Sequence, residues 1–176
     1  MKLIKAGSIK RLGLVLTMIA LAYSAARAQA GGDACHVYLV DVKAAEKAYK
    51  SLPPNATAEA QTKALSSVMK ILGEFNTTVR EEELTTKTYP FPDSKLTVTA
   101  SVFYTDESMP GDSVTLALAV SDKAESSALT VPNNAVSEVN YTESTRIVRV
   151  RKSLEINGRS YLLGLQCNHQ GRAGAK

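Results

Sequence analysis

The chain has 176 residues, with 21 Lys and Arg against 17 Asp and Glu, two Cys and no Trp. Five basic residues (Lys2, Lys5, Lys10, Arg11, Arg27) and no acidic one fall in residues 1–30, which leaves 16 basic against 17 acidic in 31–176, a net charge of −1. Net charge therefore points to neither nucleic acid nor an anionic membrane surface, and the absence of Trp removes a carbohydrate platform of stacked indoles.

Residues 1–30 read as a secretory signal. A basic segment precedes the apolar run 12–22, and Ala28-Gln29-Ala30 is a small-x-small cleavage site, with Ala26-Arg27-Ala28 as a rival. The run falls short of the roughly 20 apolar residues that span a bilayer, and no second such run follows, so no transmembrane segment is expected in the mature chain. Cys35 follows Gly32-Asp33-Ala34, a poor context for lipidation. The long basic segment is bacterial in type, which predicts a periplasmic or extracellular product. The sequons at Asn55, Asn76 and Asn140 are then chance matches. Removal of the signal leaves 146 residues, 31–176, enough for one domain with a proper core; that domain is expected over 31–170, followed by a disordered tail over 171–176.

Residues 35–42 predict an interior strand. Cys35, Val37 and Leu39 share one face, and His36, Tyr38 and Val40 the other. The Ala-rich segment 43–52 predicts a short helix, stopped by Pro53-Pro54. A longer helix is expected from 55 or 57 to about 81–83. Leu65, Val68, Met69, Leu72, Phe75 and Val79 recur at three- and four-residue steps, although Gly73 and Thr77-Thr78 weaken it. Tyr89-Pro90-Phe91-Pro92 breaks into extended chain. Period-two alternation then predicts an antiparallel pair over 96–104 and 114–120 with one buried face. An edge strand is expected at 128–131 and a turn at 132–134.

Segments 146–156 and 159–168 flank Asn157-Gly158, a dipeptide suited to a two-residue hairpin turn. Pairing Ile156 with Arg159 sets Leu154 against Tyr161, Lys152 against Leu163, Val150 against Leu165 and Val148 against Cys167. Arg151 then meets Gly164 and Arg149 meets Gln166 on the other face. The expected fold class is α+β: one long amphipathic helix packed on an antiparallel β-sheet of about five to six strands, ending in a C-terminal β-hairpin. Cystatin-like folds share that element order, a resemblance that no motif carries.

An even cysteine count in an exported chain predicts a disulfide. Cys35 opens the first strand and Cys167 the end of the last, so a Cys35–Cys167 bond would tie the domain's two ends together. The two histidines adjoin these cysteines, as Cys35-His36 and Cys167-Asn168-His169. Were the thiols reduced, His36 and His169 would be weak candidates for a metal site, the basis of an alternative reading as a metal-handling protein or hydrolase of the cell envelope. Alternation places His36 on the face opposite Cys35, which argues against it. Ser67-Val68-Met69-Lys70 matches the Ser-x-x-Lys pattern of serine acyl enzymes such as penicillin-binding proteins, without the Lys-Thr-Gly that accompanies it. No catalytic residue and no cofactor is assigned.

Arg146, Arg149, Arg151, Lys152 and Arg159 concentrate positive charge on the final hairpin. They form either a binding surface or a solvated sheet face opposite Glu138, Glu143 or Glu155. Tyr38, Tyr89, Phe91, Phe103, Tyr104, Tyr141 and Tyr161 supply either plain core or the lining of an apolar pocket. The expected function is a non-enzymatic exported domain that binds an unknown protein, an anionic polymer or a small apolar ligand. A second alternative is a structural component of an envelope assembly, through exposed sheet edges.

Overall fold

The structure is a computed structural model that describes residues 32–78, 83–104, 112–131, 134–141 and 145–170. The signal expected over 1–30 and the tail expected over 171–176 lie outside them. The elements run β1 (Gly32–Asp41), α1 (Val42–Lys50), α2 (Ala58–Ser66), β2 (Met69–Thr78), β3 (Leu84–Pro90), β4 (Thr97–Tyr104), β5 (Asp112–Ser121), a 3₁₀ turn (Ala128–Thr130), β6 (Ala135–Tyr141), β7 (Thr145–Ile156) and β8 (Arg159–Gln170). The strands form two four-stranded sheets, in the orders β2-β1-β8-β7 and β3-β4-β5-β6, and every pairing is antiparallel.

The chain passes from sheet to sheet at β2–β3 and β6–β7, where the strands touch without forming a ladder. Everywhere else each strand pairs with its successor, and β8 returns to pair with β1. The result is an up-and-down meander bent into a flattened ring. Alternation points Cys35, Val37 and Leu39 of β1 and Leu163, Leu165 and Cys167 of β8 inward. They meet Val98, Ala100 and Val102 of β4 and Val114, Leu116 and Leu118 of β5, all buried in one core.

The expected α+β fold with one long helix is overturned: the chain is mostly β, with two short helices. The first, expected over 43–52, is present as α1; the carboxylate of Asp41 accepts the Ala44 backbone N–H at 3.0 Å. The second ends at Ser66, and the remainder of its apolar stripe becomes β2. The spacing of Leu65 to Val79 fits a helix, yet from residue 73 it fits a strand equally well. Phe75 and Thr77 are buried while Glu74 and Asn76 are exposed. Gly73 and the β-branched Thr77-Thr78 disfavour a helix there, and pairing with β1 satisfies a full ladder of backbone groups. With no long helix across a sheet, the cystatin-like element order fails as well. Among the described residues no helix is long and apolar enough to cross a membrane.

Both helices pack on the outer face of the first sheet, where Ala45 and Leu65 are buried against Tyr38 and Val40. Strands β4 and β5 form the expected antiparallel pair, but both of its faces are buried. Ala117 and Ala119, on the outer side, lie under Ala128. The segment expected as an edge strand at 128–131 is a 3₁₀ turn, because Ser127 caps it through Leu129 N–H at 3.1 Å and the Ala128 N–H donates to Ser101 Oγ at 2.9 Å. The β7–β8 hairpin keeps the expected pairs throughout, and Asn157 and Gly158 take φ of 52° and 71°, as a turn of this type requires.

Cys35 and Cys167 are opposite one another in the β1–β8 ladder, with Cα atoms 4.1 Å apart, and form a disulfide. The bond lies on the pair that closes the ring. It indicates an oxidising, non-cytoplasmic compartment.

Candidate functional site

The outer face of the first sheet carries a row of polar side chains that crosses all four strands. Glu74 of β2 pairs with His36 of β1, His36 with Gln166 of β8, and Gln166 with Arg149 of β7. The next row runs from Tyr38 to Gly164 to Arg151. Gly164 is required here. A Cβ at this position would lie 2.1 Å from Tyr38 Cζ and 2.4 Å from its hydroxyl oxygen, so the ring of Tyr38 lies across β8 in the direction of β7. The rows beyond, at Val40 and Leu162, pack under α1 and α2.

Arg149 and Arg151 therefore stand side by side on the terminal strand of this sheet. Burial lowers the Arg149 pKa, the like charge of Arg151 lowers it further, and Tyr38 acts in the opposite direction. In Arg151, Nε and Nη2 are shielded from solvent and have no hydrogen-bond partner among the described residues. Such shielded donors are costly until an acceptor meets them. Gln166 is fully buried between these neighbours. Burial lowers the His36 pKa below its ordinary value, opposed by Glu74 across the ladder, so the ring is neutral at pH 7. It stands 5.9 Å from the Tyr38 ring, tilted by 41°.

The five basic residues of the hairpin do not form one patch. Lys152 and Arg159 pair with Leu163 and Ile156, on the opposite face from Arg149 and Arg151. Arg146 pairs through its backbone with His169, and the side chains of both lie outside the described residues. His36 projects from β1 away from the disulfide, whose sulfurs carry no thiolate. Among the described residues no three His, Cys, Asp or Glu side chains group as metal ligands. Ser67 caps the C-terminus of α2, its hydroxyl donating to Ala64 O at 2.6 Å. Lys70 is exposed in β2, so the two share no helical face.

One buried polar cluster was not anticipated. The Tyr104 hydroxyl donates to Asp33 Oδ2 at 2.6 Å and receives the Thr77 hydroxyl at 2.6 Å; all three residues are buried. Burial, reinforced by the Asp33 charge, raises the Tyr104 pKa far above the ordinary phenol value, so it remains a donor. The cluster ties β1, β2 and β4 together inside one end of the ring. Asp33 sits 71 positions from Tyr104, and no local pattern in the sequence signals the contact.

Comparison with protein families, characterised proteins and solved structures finds no match to the chain.

Proposed function

We propose that this is an exported, non-enzymatic interaction domain, made with a secretory signal over residues 1–30, that binds an acidic protein surface through Arg149 and Arg151. The observation that carries the reading is the placement of two half-buried arginines, Arg149 and Arg151, side by side on one face of the terminal strand. Two like charges are held together on a rigid strand, and an approaching carboxylate offsets their mutual repulsion through whatever guanidinium edge faces solvent. His36, half-buried two strands away in the same row, adds a neutral polar group to this face. The disulfide supports the compartment assignment. The metal-handling alternative receives no support, since the sulfurs it needs are bonded to each other.

The test compares retention on immobilised poly-L-glutamate for the native protein and for Arg149→Glu/Arg151→Glu. Native binding that weakens with salt, and falls by about tenfold or more in the double variant at unchanged melting temperature, supports the reading. Lys70→Glu serves as the control for net charge. Equal retention by native and reversed proteins overturns the assignment of this surface.

A further inference from the structure

The ring has a mouth at the end where the β3–β4 connection and the β7–β8 turn meet, and a cavity of about 370 Å³ opens between them. Its floor is apolar: Phe91, Pro92, Ile156 and Tyr161 line it. Phe91 and Tyr161 pack edge to face, with centroids 5.3 Å apart at 83°. Its lips are charged, Asp93 on one connection and Arg159 beside the other turn, both exposed. Among the described residues neither is engaged in an ion pair. Asp93 at φ 54° and Asn157 at φ 52° hold the two connections in tight conformations.

We infer that this mouth is a binding site for a small zwitterion with an apolar side group, the chemistry of a free apolar α-amino acid. The argument is one of complementarity. A wholly apolar ligand would shield Asp93 and Arg159 from water without compensation. An anion alone meets Arg159 but is opposed by Asp93, and a cation alone meets the reverse. A zwitterion satisfies both while its side group covers the ring floor. The volume lies near the small end of ligand sites. As a sphere it is about 9 Å across, which suits one amino acid. The mouths of β-barrels are recurrent ligand sites for the same geometric reason. This site is independent of the Arg149/Arg151 surface, which lies on the outer face.

The experiment titrates the full-length, disulfide-bonded protein with L-phenylalanine, 3-phenylpropanoate and phenethylamine, following the ring signals of Phe91 and Tyr161 by NMR. Saturable L-phenylalanine binding, with each singly charged analogue about tenfold weaker or worse, is the expected result. Arg159→Gln should weaken L-phenylalanine and 3-phenylpropanoate alike and spare phenethylamine. Asp93→Asn, which keeps a residue tolerant of positive φ, should do the converse. Arg149→Glu/Arg151→Glu should leave all three affinities unchanged. The inference is overturned by no saturation with L-phenylalanine up to about 20 mM, by equal binding of 3-phenylpropanoate, or by indifference to both mouth substitutions.

Discussion

Removing the disulfide tests what closes the ring. Cys35 and Cys167 are 132 residues apart in sequence, and in the chain-entropy account a closed loop of that length contributes about 5 kcal/mol at 25 °C by restricting the unfolded chain. The β1–β8 ladder extends on both sides of the bond, with Ala34 opposite Asn168 and His36 opposite Gln166, so the folded chain holds the two strands together without it. The effect therefore falls on the unfolded state. Cys35→Ala/Cys167→Ala is the appropriate perturbation, since serine would bury two hydroxyls in a core where these positions are 2% and 0% exposed. Loss of two buried sulfurs adds on the order of 1–2 kcal/mol. The assay is urea unfolding followed by circular dichroism, because the chain has no Trp. The expected result is a loss of about 6–7 kcal/mol, with a larger m-value, because the uncrosslinked chain exposes more surface when unfolded. Such a loss consumes most of the stability typical of a domain. A loss below about 2 kcal/mol with an unchanged m-value would refute the argument.

Further substitutions probe three separate features. Gly164→Ala drives a Cβ into the buried ring of Tyr38 and should cost about 1–3 kcal/mol in thermal unfolding. Adding Tyr38→Ala should restore part of that loss, and strict additivity would show that the two residues do not meet. Tyr104→Phe removes the hydrogen bond to the Asp33 carboxylate and should cost about 1.5–3 kcal/mol by denaturant titration; a cost within error of zero would mean that the cluster does not contribute to stability. Burial holds the folded His36 pKa below the ordinary 6.5, so on acidification the unfolded chain takes up this proton first. The stability contributed by the neutral ring is complete above 6.5 and is lost as pH falls through the folded value. The melting temperature of His36→Gln should accordingly decline less than that of the native protein between about pH 7 and 5, and parallel declines would contradict the assigned shift.

The β7–β8 hairpin was legible because one dipeptide, Asn157-Gly158, fixes its register and the period-two pattern fills in every pair. The same alternation correctly separates His36 from Cys35 and places Arg149 with Arg151. It also shows that Lys152 faces the apolar side, which is why the five cations never formed a single surface. The segment after Ser67 carries a helical pattern for a definite reason. Leu65, Val68, Met69, Leu72 and Phe75 satisfy helical spacing, and only the β1 ladder, which lies outside any local window, decides for a strand. The same holds for ring closure, because β1 and β8 are the first and last strands. The Asp33–Tyr104–Thr77 cluster and the mouth cavity depend on side chains that only the closed ring assembles. Both faces of β4 and β5 are covered because Ala117 and Ala119 are small enough to admit the 3₁₀ turn, a matter of shape that hydrophobic alternation does not express.

The return of β8 to β1 has a consequence for how the fold is written along the chain. Since Ala34 lies opposite Asn168, the outer ends of these two strands are neighbours at one end of the ring. The strand order is thus cyclic, and no strand is intrinsically first. A circular permutant that joins those ends through a short linker and opens the chain in the exposed stretch 122–124 preserves every strand pairing. In such a permutant the Cys35–Cys167 crosslink spans two strands adjacent in sequence and encloses a short loop, so its contribution shrinks while its geometry stays the same.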